Sequence, residues 1–141
     1  MPRRVVADAC VLVKWFVPED FSEEALRLMG DHLRGVVSVV APSFAVLEFV
    51  NALRKYVVRG VLSEDDVREA VRLLERAEVE YVSVGFDVLR EALECALEWG
   101  VTVYDACYIV LARRFGVEVY TADEKLLRGP GGRQGVVRHI K

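Results

Sequence analysis

Four carboxylate side chains occur in stretches of this sequence that are otherwise largely apolar. Asp8 interrupts RVVADACVLVKWF and Asp105 interrupts VTVYDACYIVLARRF, while Glu48 lies in FAVLEFVNALRKY and Asp123 in VYTADEKLL. An unpaired carboxylate in an apolar setting is costly, so it must find a partner or keep its proton. One such residue would mean little, but four in separate segments indicate a common chemical role.

The positions of these acids predict that they converge. Asp8 ends the first expected strand and Asp123 follows the fourth, and ligands of parallel sheets bind beyond the carboxyl ends of the strands. Both acids therefore open onto the same edge of the sheet if the first and fourth strands are neighbours. Carboxylates that converge without a counter-ion repel one another and hold protons, a cost that a divalent cation removes. Mg²⁺ and Mn²⁺ prefer carboxylate oxygens, leave positions for water and substrate phosphate, and activate the bound water. The pattern predicts metal-dependent phosphoryl chemistry, with Mg²⁺ (or Mn²⁺) as the cofactor.

Each acid also has a structural alternative that the sequence leaves open. These alternatives are helix capping by Asp8 or Asp123, a capping box joining Asp105 to Thr102, and a surface position or an ion pair with Lys55 for Glu48. Other enzyme classes fit less well, because neither histidine lies near a candidate nucleophile and no glycine-rich phosphate loop is present. A receiver domain would need paired acids after the first strand, and a haloacid-dehalogenase-type phosphatase would need DxD where this chain has DAC.

Short valine-rich runs alternate with longer segments of helical period, which predicts an α/β fold with a central, mostly parallel sheet of four to five strands. The expected strands are residues 4–8, 36–41, 80–84, 117–121 and a short fifth at 136–140. The expected helices are residues 11–17, 22–34, 42–59, one that starts at Ser63, 86–99 and 102–115. Residues 129–132 are expected to form a mobile loop. With 141 residues and no linker or repeat, we expect a single domain spanning residues 1–141.

The composition narrows the class of protein further. No apolar run approaches the roughly 20 residues that span a bilayer, and no export signal is visible, so we expect a cytoplasmic protein with no membrane segment. The three cysteines lack CxxC spacing, which favours buried apolar positions over a structural zinc site. The net charge of −3 does not by itself indicate a nucleic-acid binder.

The segments VVADACVLVKWF, LEFVNALRKYVVRGVLSEDD and VTVYDACYIVLARRFGVEVYTADEKLL resemble PIN-domain ribonucleases, specifically the VapC toxins of prokaryotic toxin–antitoxin pairs. The resemblance implies a PIN-like three-layer α/β/α sandwich and a metal-dependent endoribonuclease. It also implies that Asp8, Glu48, Asp105 and Asp123 form the acidic centre. The positions of Asp8 and Asp105 are the usual direct metal ligands in the family, and we expect Asp123 to share the metal site.

The same resemblance assigns supporting residues around the acids. Thr121 matches a small hydroxyl position before the last acid, and Asn51 matches a polar position one helical turn after Glu48, which it could orient. Cys10 departs from the family, which commonly has a hydroxyl or amide residue there. This departure argues against a hydrogen bond to Asp8 at that point.

The resemblance further implies an RNA substrate, a cognate antitoxin and a homodimer. The hydrophobic segment VLVKWFV could contact a protein partner, with Trp15 and Phe16 as anchors, although a place in the core fits it equally well. For RNA contact the candidates are Lys125, which begins a segment without acids, and also Lys14 and Arg113. Two alternatives stay open, a PIN nuclease for RNA processing without an antitoxin and a non-catalytic PIN-like interaction module.

Overall fold

The computed structural model describes residues 2–141 except the side chain of Arg133, and this part of the chain contains five strands and eight helices. The strands are β1 (Arg3–Ala7), β2 (Val37–Pro42), β3 (Glu80–Val82), β4 (Val119–Thr121) and β5 (Val137–His139). The helices are α1 (Ala9–Lys14), α2 (Ser22–Leu33), α3 (Ala45–Val58), α4 (Glu64–Arg76), α5 (Phe86–Trp99), α6 (Val103–Phe115), α7 (Glu124–Arg128) and α8 (Pro130–Arg133).

The strands form one parallel sheet in the order β3-β2-β1-β4-β5, flanked by helices. Strand β1 is central, and its residues Val5, Val6 and Ala7 are buried, as expected for a strand covered on both faces. It pairs with β4 in the register Val6 to Val119. The predicted α/β fold is therefore confirmed, and the strands that precede Asp8 and Asp123 are neighbours.

Helix α6 lies at the centre of the helical packing. Every residue from Ala106 to Ala112 is buried, and α6 packs against α5 as well as against β1 and β2. A helix buried on all sides has an apolar sequence on all sides, which explains the continuous run in which Asp105 occurs. Within the described residues, no single helix is long and apolar enough to cross a membrane, although α5 and α6, bent by 113° at their junction, together have the length and composition of a broken span.

Helix α1 is part of the core. It begins at Ala9 rather than at Val11, because Asp8 serves as its N-cap. Trp15 is 4% exposed and its ring stacks on His32, while Phe16 packs edge-on against Phe49. The prediction that Trp15 anchors a partner is wrong for this conformation, because its side chain is occupied inside the protein.

Two further structural predictions are wrong for identifiable reasons. The helix expected at residue 42 begins at Ala45, because Pro42 is the last residue of β2 and pairs with Val82. Residues 129–132 are not a simple loop, since Pro130 occupies the first turn of the short helix α8. A side chain at Gly132 would collide with the carbonyl oxygen of Leu127, so Gly132 permits close packing on α7.

Candidate active site

Asp8 and Asp123 lie at the same edge of the sheet. Asp8 follows β1 directly and caps α1, and Asp123 lies two residues beyond β4 and caps α7. Because β1 and β4 are adjacent and parallel, their carboxyl ends bring the two acids to one place. The capping alternatives for both acids are thus correct, and they hold the carboxylates in position at this edge.

Asp8 is the most buried of the four acids, with 8% of its surface exposed. Its Oδ1 accepts hydrogen bonds from the backbone N–H of Val11 at 3.2 Å and from the Sγ–H of Cys10 at 2.8 Å. Burial raises the pKa of Asp8 to about 6, although hydrogen bonds from Cys10, Thr121 and Val11 oppose this rise. Cys10 does supply the hydrogen bond that its departure from the family argued against, so that prediction is wrong.

Thr121 connects the two strand-end acids. It is completely buried, and its hydroxyl accepts the backbone N–H of Asp123 at 2.9 Å. The same hydroxyl lies 3.7 Å from the Cys10 sulfur, and a hydrogen bond from Thr121 lowers the pKa of Asp8. A buried hydroxyl with these contacts orders the backbone before α7 and the carboxylate of Asp8 together.

Glu48 is half-buried in the first turn of α3, where its Oε1 accepts a hydrogen bond from the hydroxyl of Tyr108 at 2.7 Å. Burial raises the pKa of Glu48, the Tyr108 bond lowers it, and the charge of Asp105 raises it again. Asn51 is exposed and makes no side-chain hydrogen bond to Glu48 in the described part of the chain. Tyr108 on α6 is the residue that orients Glu48 here, and the ion pair with Lys55 is absent from the described contacts.

Asp105 belongs to the first turn of α6. Thr102 is the N-cap of that helix, and its hydroxyl accepts the backbone N–H of Asp105 at 3.1 Å. Burial and the charge of Asp123 raise the pKa of Asp105, while a hydrogen bond from Thr102 and the charge of Lys125 lower it. Thr102 therefore caps α6, but only this half of the expected capping box appears among the described contacts. The charges of Asp123 and Lys125 both act on the Asp105 carboxylate.

The four acids form one electrostatic group. Asp123 raises the pKa of both Asp8 and Asp105, and Asp105 raises that of Glu48, so the four carboxylates repel in a connected series. Among the described residues, no three carboxylate, imidazole or thiol groups are close enough as placed to hold one metal ion. The chemistry of the donors nevertheless fits Mg²⁺ or Mn²⁺, since hard carboxylate oxygens converge there and their repulsion is what a cation would relieve.

The three basic residues predicted to contact RNA occupy different places. Lys125 is exposed in the first turn of α7 and lines a cavity of about 330 Å³ together with Asp105, Thr102 and Trp99. The side chain of Lys14 is only 10% exposed and forms an ion pair with Glu19 at 3.2 Å. Arg113 lies eight residues beyond Asp105, about 12 Å along α6, and its guanidinium stacks 4.5 Å from the Trp99 ring centroid. The structure therefore brings Lys125 to the acidic centre and places the Arg113 guanidinium against Trp99, a residue of the same cavity.

Sequence reasoning missed two residues beside the acids. Tyr108 lies in the same apolar run as Asp105, and its position three residues later on α6 was the available signal. Glu19 follows Pro18 and lines a cavity with Glu48, where it accepts hydrogen bonds from Lys14 and from the hydroxyl of Tyr56. No local pattern marks Glu19, because its partners come from α1 and α3.

Comparison with known proteins agrees with this fold. A family model described as "PIN domain" matches residues 5–131. Ribonuclease VapC3 of Pyrobaculum aerophilum is 34% identical over 124 residues, which cover 87% of this chain and 92% of that protein. The chain therefore belongs to the PIN-domain family. Within that family, it is similar to VapC3 over most of the length of both proteins.

Three solved structures have the same fold. The crystal structure of PAE2754 from Pyrobaculum aerophilum has a TM-score of 0.70 and 21% identity, covering 99% of this chain and 92% of that one. VapC20 of Mycobacterium tuberculosis, described as a sarcin-ricin loop cleaving toxin, has a TM-score of 0.68 and 16% identity, covering 86% and 92%. A toxin–antitoxin complex from Klebsiella pneumoniae has a TM-score of 0.66 and 16% identity, covering 97% and 98%.

Proposed function

We propose that this protein is a metal-dependent endoribonuclease and the toxin of a VapBC-type toxin–antitoxin pair. The observation that carries the proposal is Asp8, a buried carboxylate in a connected series of four repelling acids at the carboxyl edge of the sheet. Repulsion and burial of this kind cost stability and have no benefit in a purely structural site. The retained acids therefore favour catalysis over a non-catalytic PIN-like module.

The residues of this chain have separable roles in the proposed reaction. Asp8, Asp105 and Asp123 would hold Mg²⁺ or Mn²⁺, which when bound supplies an activated water and charge neutralisation at the scissile phosphate. Thr121 and Cys10 fix the Asp8 carboxylate through hydrogen bonds. Glu48 is held by Tyr108, and its raised pKa suits a carboxylate that accepts a proton near the reacting centre.

RNA as the substrate has support from the site and from the relative. Lys125 lies beside Asp105 and is exposed, so its ammonium group can contact a phosphate next to the scissile one. The similar protein from Pyrobaculum aerophilum is named a ribonuclease. We also propose that the protein acts in the cytoplasm.

The antitoxin and a second copy of the chain are the proposed protein partners. One structural relative is a toxin–antitoxin complex, which supports the first partner. Phe86, Leu93 and Leu97 are exposed apolar residues on one face of α5, and a face of this kind supports a homodimer. Light scattering over micromolar concentrations tests the dimer, and a mass that stays monomeric contradicts it.

The decisive experiment is cleavage of single-stranded RNA by the purified protein. We expect cleavage with Mg²⁺ or Mn²⁺, loss of cleavage in excess chelator, and loss in the Asp8→Asn variant. Glu23→Gln is the matched control, because Glu23 is an exposed acid on α2 away from the sheet edge. Full activity of Asp8→Asn, or cleavage unaffected by chelator, contradicts the proposal. If the protein cleaves RNA but no small protein encoded beside it inhibits the cleavage, an RNA-processing nuclease is favoured instead.

A further inference from the structure

A second cavity, of about 320 Å³, opens beside Glu48 on the side of α3. The residues that line it include Ala9, Cys10, Glu48, Ala52, Lys55 and Arg59. The last four are spaced by four, three and four positions, so they follow one face of α3. Because Glu48 lines this cavity and Cys10 donates a hydrogen bond to Asp8, the cavity borders the acidic centre.

Two acids and two cations line this cavity, but one of the acids already has a partner of its own. Its second acid, Glu19, is already compensated by the ammonium group of Lys14 and by the hydroxyl of Tyr56. Lys55 and Arg59 are exposed, and neither side chain forms a hydrogen bond or an ion pair with another described residue. Several other arginines on the helices behave differently, as Arg68, Arg72 and Arg114 show in their ion pairs with nearby acids.

Lys55 and Arg59 lie at increasing distances from the acidic centre. Along the axis of α3, Lys55 is about 10 Å and Arg59 about 16 Å from Glu48. A strand whose scissile phosphate lies at the acids must bring its neighbouring phosphates past a negatively charged edge. Cations beyond that edge offset the repulsion and hold the strand in register.

We propose that Lys55 and Arg59 bind backbone phosphates of single-stranded RNA on the α3 side of the acidic centre. This inference rests on the proposed ribonuclease function and gives the substrate a path. The strand runs from the cavity at Lys125, across the carboxylates, into the cavity along α3. The ordinary alternative is that both cations only complement the carbonyl end of α3, as basic residues in a last turn often do.

The test compares two charge-matched double variants. Lys55→Gln/Arg59→Gln removes the proposed phosphate contacts. Arg54→Gln/Arg76→Gln removes the same charge at exposed positions elsewhere, since Arg54 faces the separate groove between α3 and α4 and Arg76 ends α4. The probe is a 2′-O-methyl oligoribonucleotide, which resists cleavage, bound in Mg²⁺ over a range of salt concentrations. A polyglutamate peptide is titrated in parallel as a mimic of an acidic protein segment.

We expect the salt dependence to separate the variants. Each phosphate contact on a single strand contributes about 0.7 to the slope of log affinity against log salt, so two lost contacts reduce the slope by about 1.4. Between about 50 and about 200 mM salt, the wild-type protein should then lose about sevenfold more affinity than Lys55→Gln/Arg59→Gln. The control variant should keep the wild-type slope, and cleavage of natural RNA by the test variant should show a raised KM with kcat little changed.

Several results would overturn the inference. An unchanged slope in the test variant, or an equal loss in both variants, removes Lys55 and Arg59 from the RNA path. Retained RNA affinity with lost polyglutamate affinity assigns the two cations to a protein partner instead. If the wild-type protein neither binds nor cleaves RNA, the proposed function fails together with this inference. Normal wild-type cleavage with unaltered variants refutes the inference alone.

Discussion

Replacing Asp8 with asparagine should stabilise the metal-free protein at neutral pH. Burial raises the pKa of Asp8 from 3.8 to about 6, and the charge of Asp123 adds to the rise. A carboxyl group with a raised pKa binds its proton more tightly in the folded protein than in the unfolded chain. The fold therefore loses stability as pH rises from about 4 to about 6, and this loss is complete above the folded pKa.

The size of the effect follows from the pKa difference. A rise of about two units corresponds to about 3 kcal/mol in the free energy of unfolding at pH 7.5, and to almost nothing below pH 4. For a chain of this size, 3 kcal/mol corresponds to about 10 °C in Tm. Asparagine caps a helix as well as aspartate does, so its amide oxygen can still accept the backbone N–H of Val11.

The assay is thermal unfolding of both proteins in chelator from pH 4 to pH 8. The difference in Tm between Asp8→Asn and wild type should be small at pH 4, grow through pH 6 and then stay constant. Asp20→Asn, a change at an exposed aspartate, should show no such growth. A pH-independent difference, or a wild-type protein that is the more stable one at pH 7.5, would refute the reasoning.

Three further substitutions test other contacts of the site and the fold. Tyr108→Phe removes the hydrogen bond that lowers the pKa of Glu48, so the acidic limb of the pH profile of kcat/KM should move to higher pH. An unmoved limb would show that Glu48 does not titrate in the reaction. Thr121→Val leaves the Asp123 N–H without its acceptor, so it should lower the free energy of unfolding in urea by about 1–3 kcal/mol and also weaken cleavage. A variant as stable as the wild-type protein would contradict the bridging role of Thr121. His32→Phe keeps a ring beside Trp15 but loses the hydrogen bonds to the N–H of Val39 at 3.0 Å and to the carbonyl oxygen of Ala77 at 2.7 Å, so it should also lower the free energy of unfolding by about 1–3 kcal/mol. An unchanged free energy of unfolding would mean that water replaces both bonds.

Local sequence signals determined much of this fold. Ser63 and Asp66 form the full capping box of α4, where serine followed by acids predicted a helix start. Gly100 and Gly116 adopt the left-handed conformation at the ends of α5 and α6, as glycines after a helical run do. These features depend on residues no more than about four positions apart, so the sequence alone carries them.

The positions of the strand-end acids were also determined by sequence. A buried parallel strand requires an apolar run, and the first carboxylate after that run must lie at the edge of the sheet. Asp8 and Asp123 follow this rule, and the alternation of strands and helices predicted a parallel sheet. That β1 and β4 are neighbours, which brings the two acids together, was decided only by the tertiary structure.

The tertiary structure alone decided which side chains meet at the site. Glu48 and Tyr108 are 60 positions apart, and they meet because the tertiary structure brings α3 and α6 together. The same packing covers Trp15 and pairs Lys14 with Glu19, which removes two residues that the sequence offered to partners. Among the described residues, it leaves Lys55 and Arg59 without an ion-pair partner along the cavity beside Glu48. A sequence shows which residues are charged and which are apolar. Whether a charged side chain has a partner depends on residues that are distant in sequence, and only the packing of the helices brings those residues together.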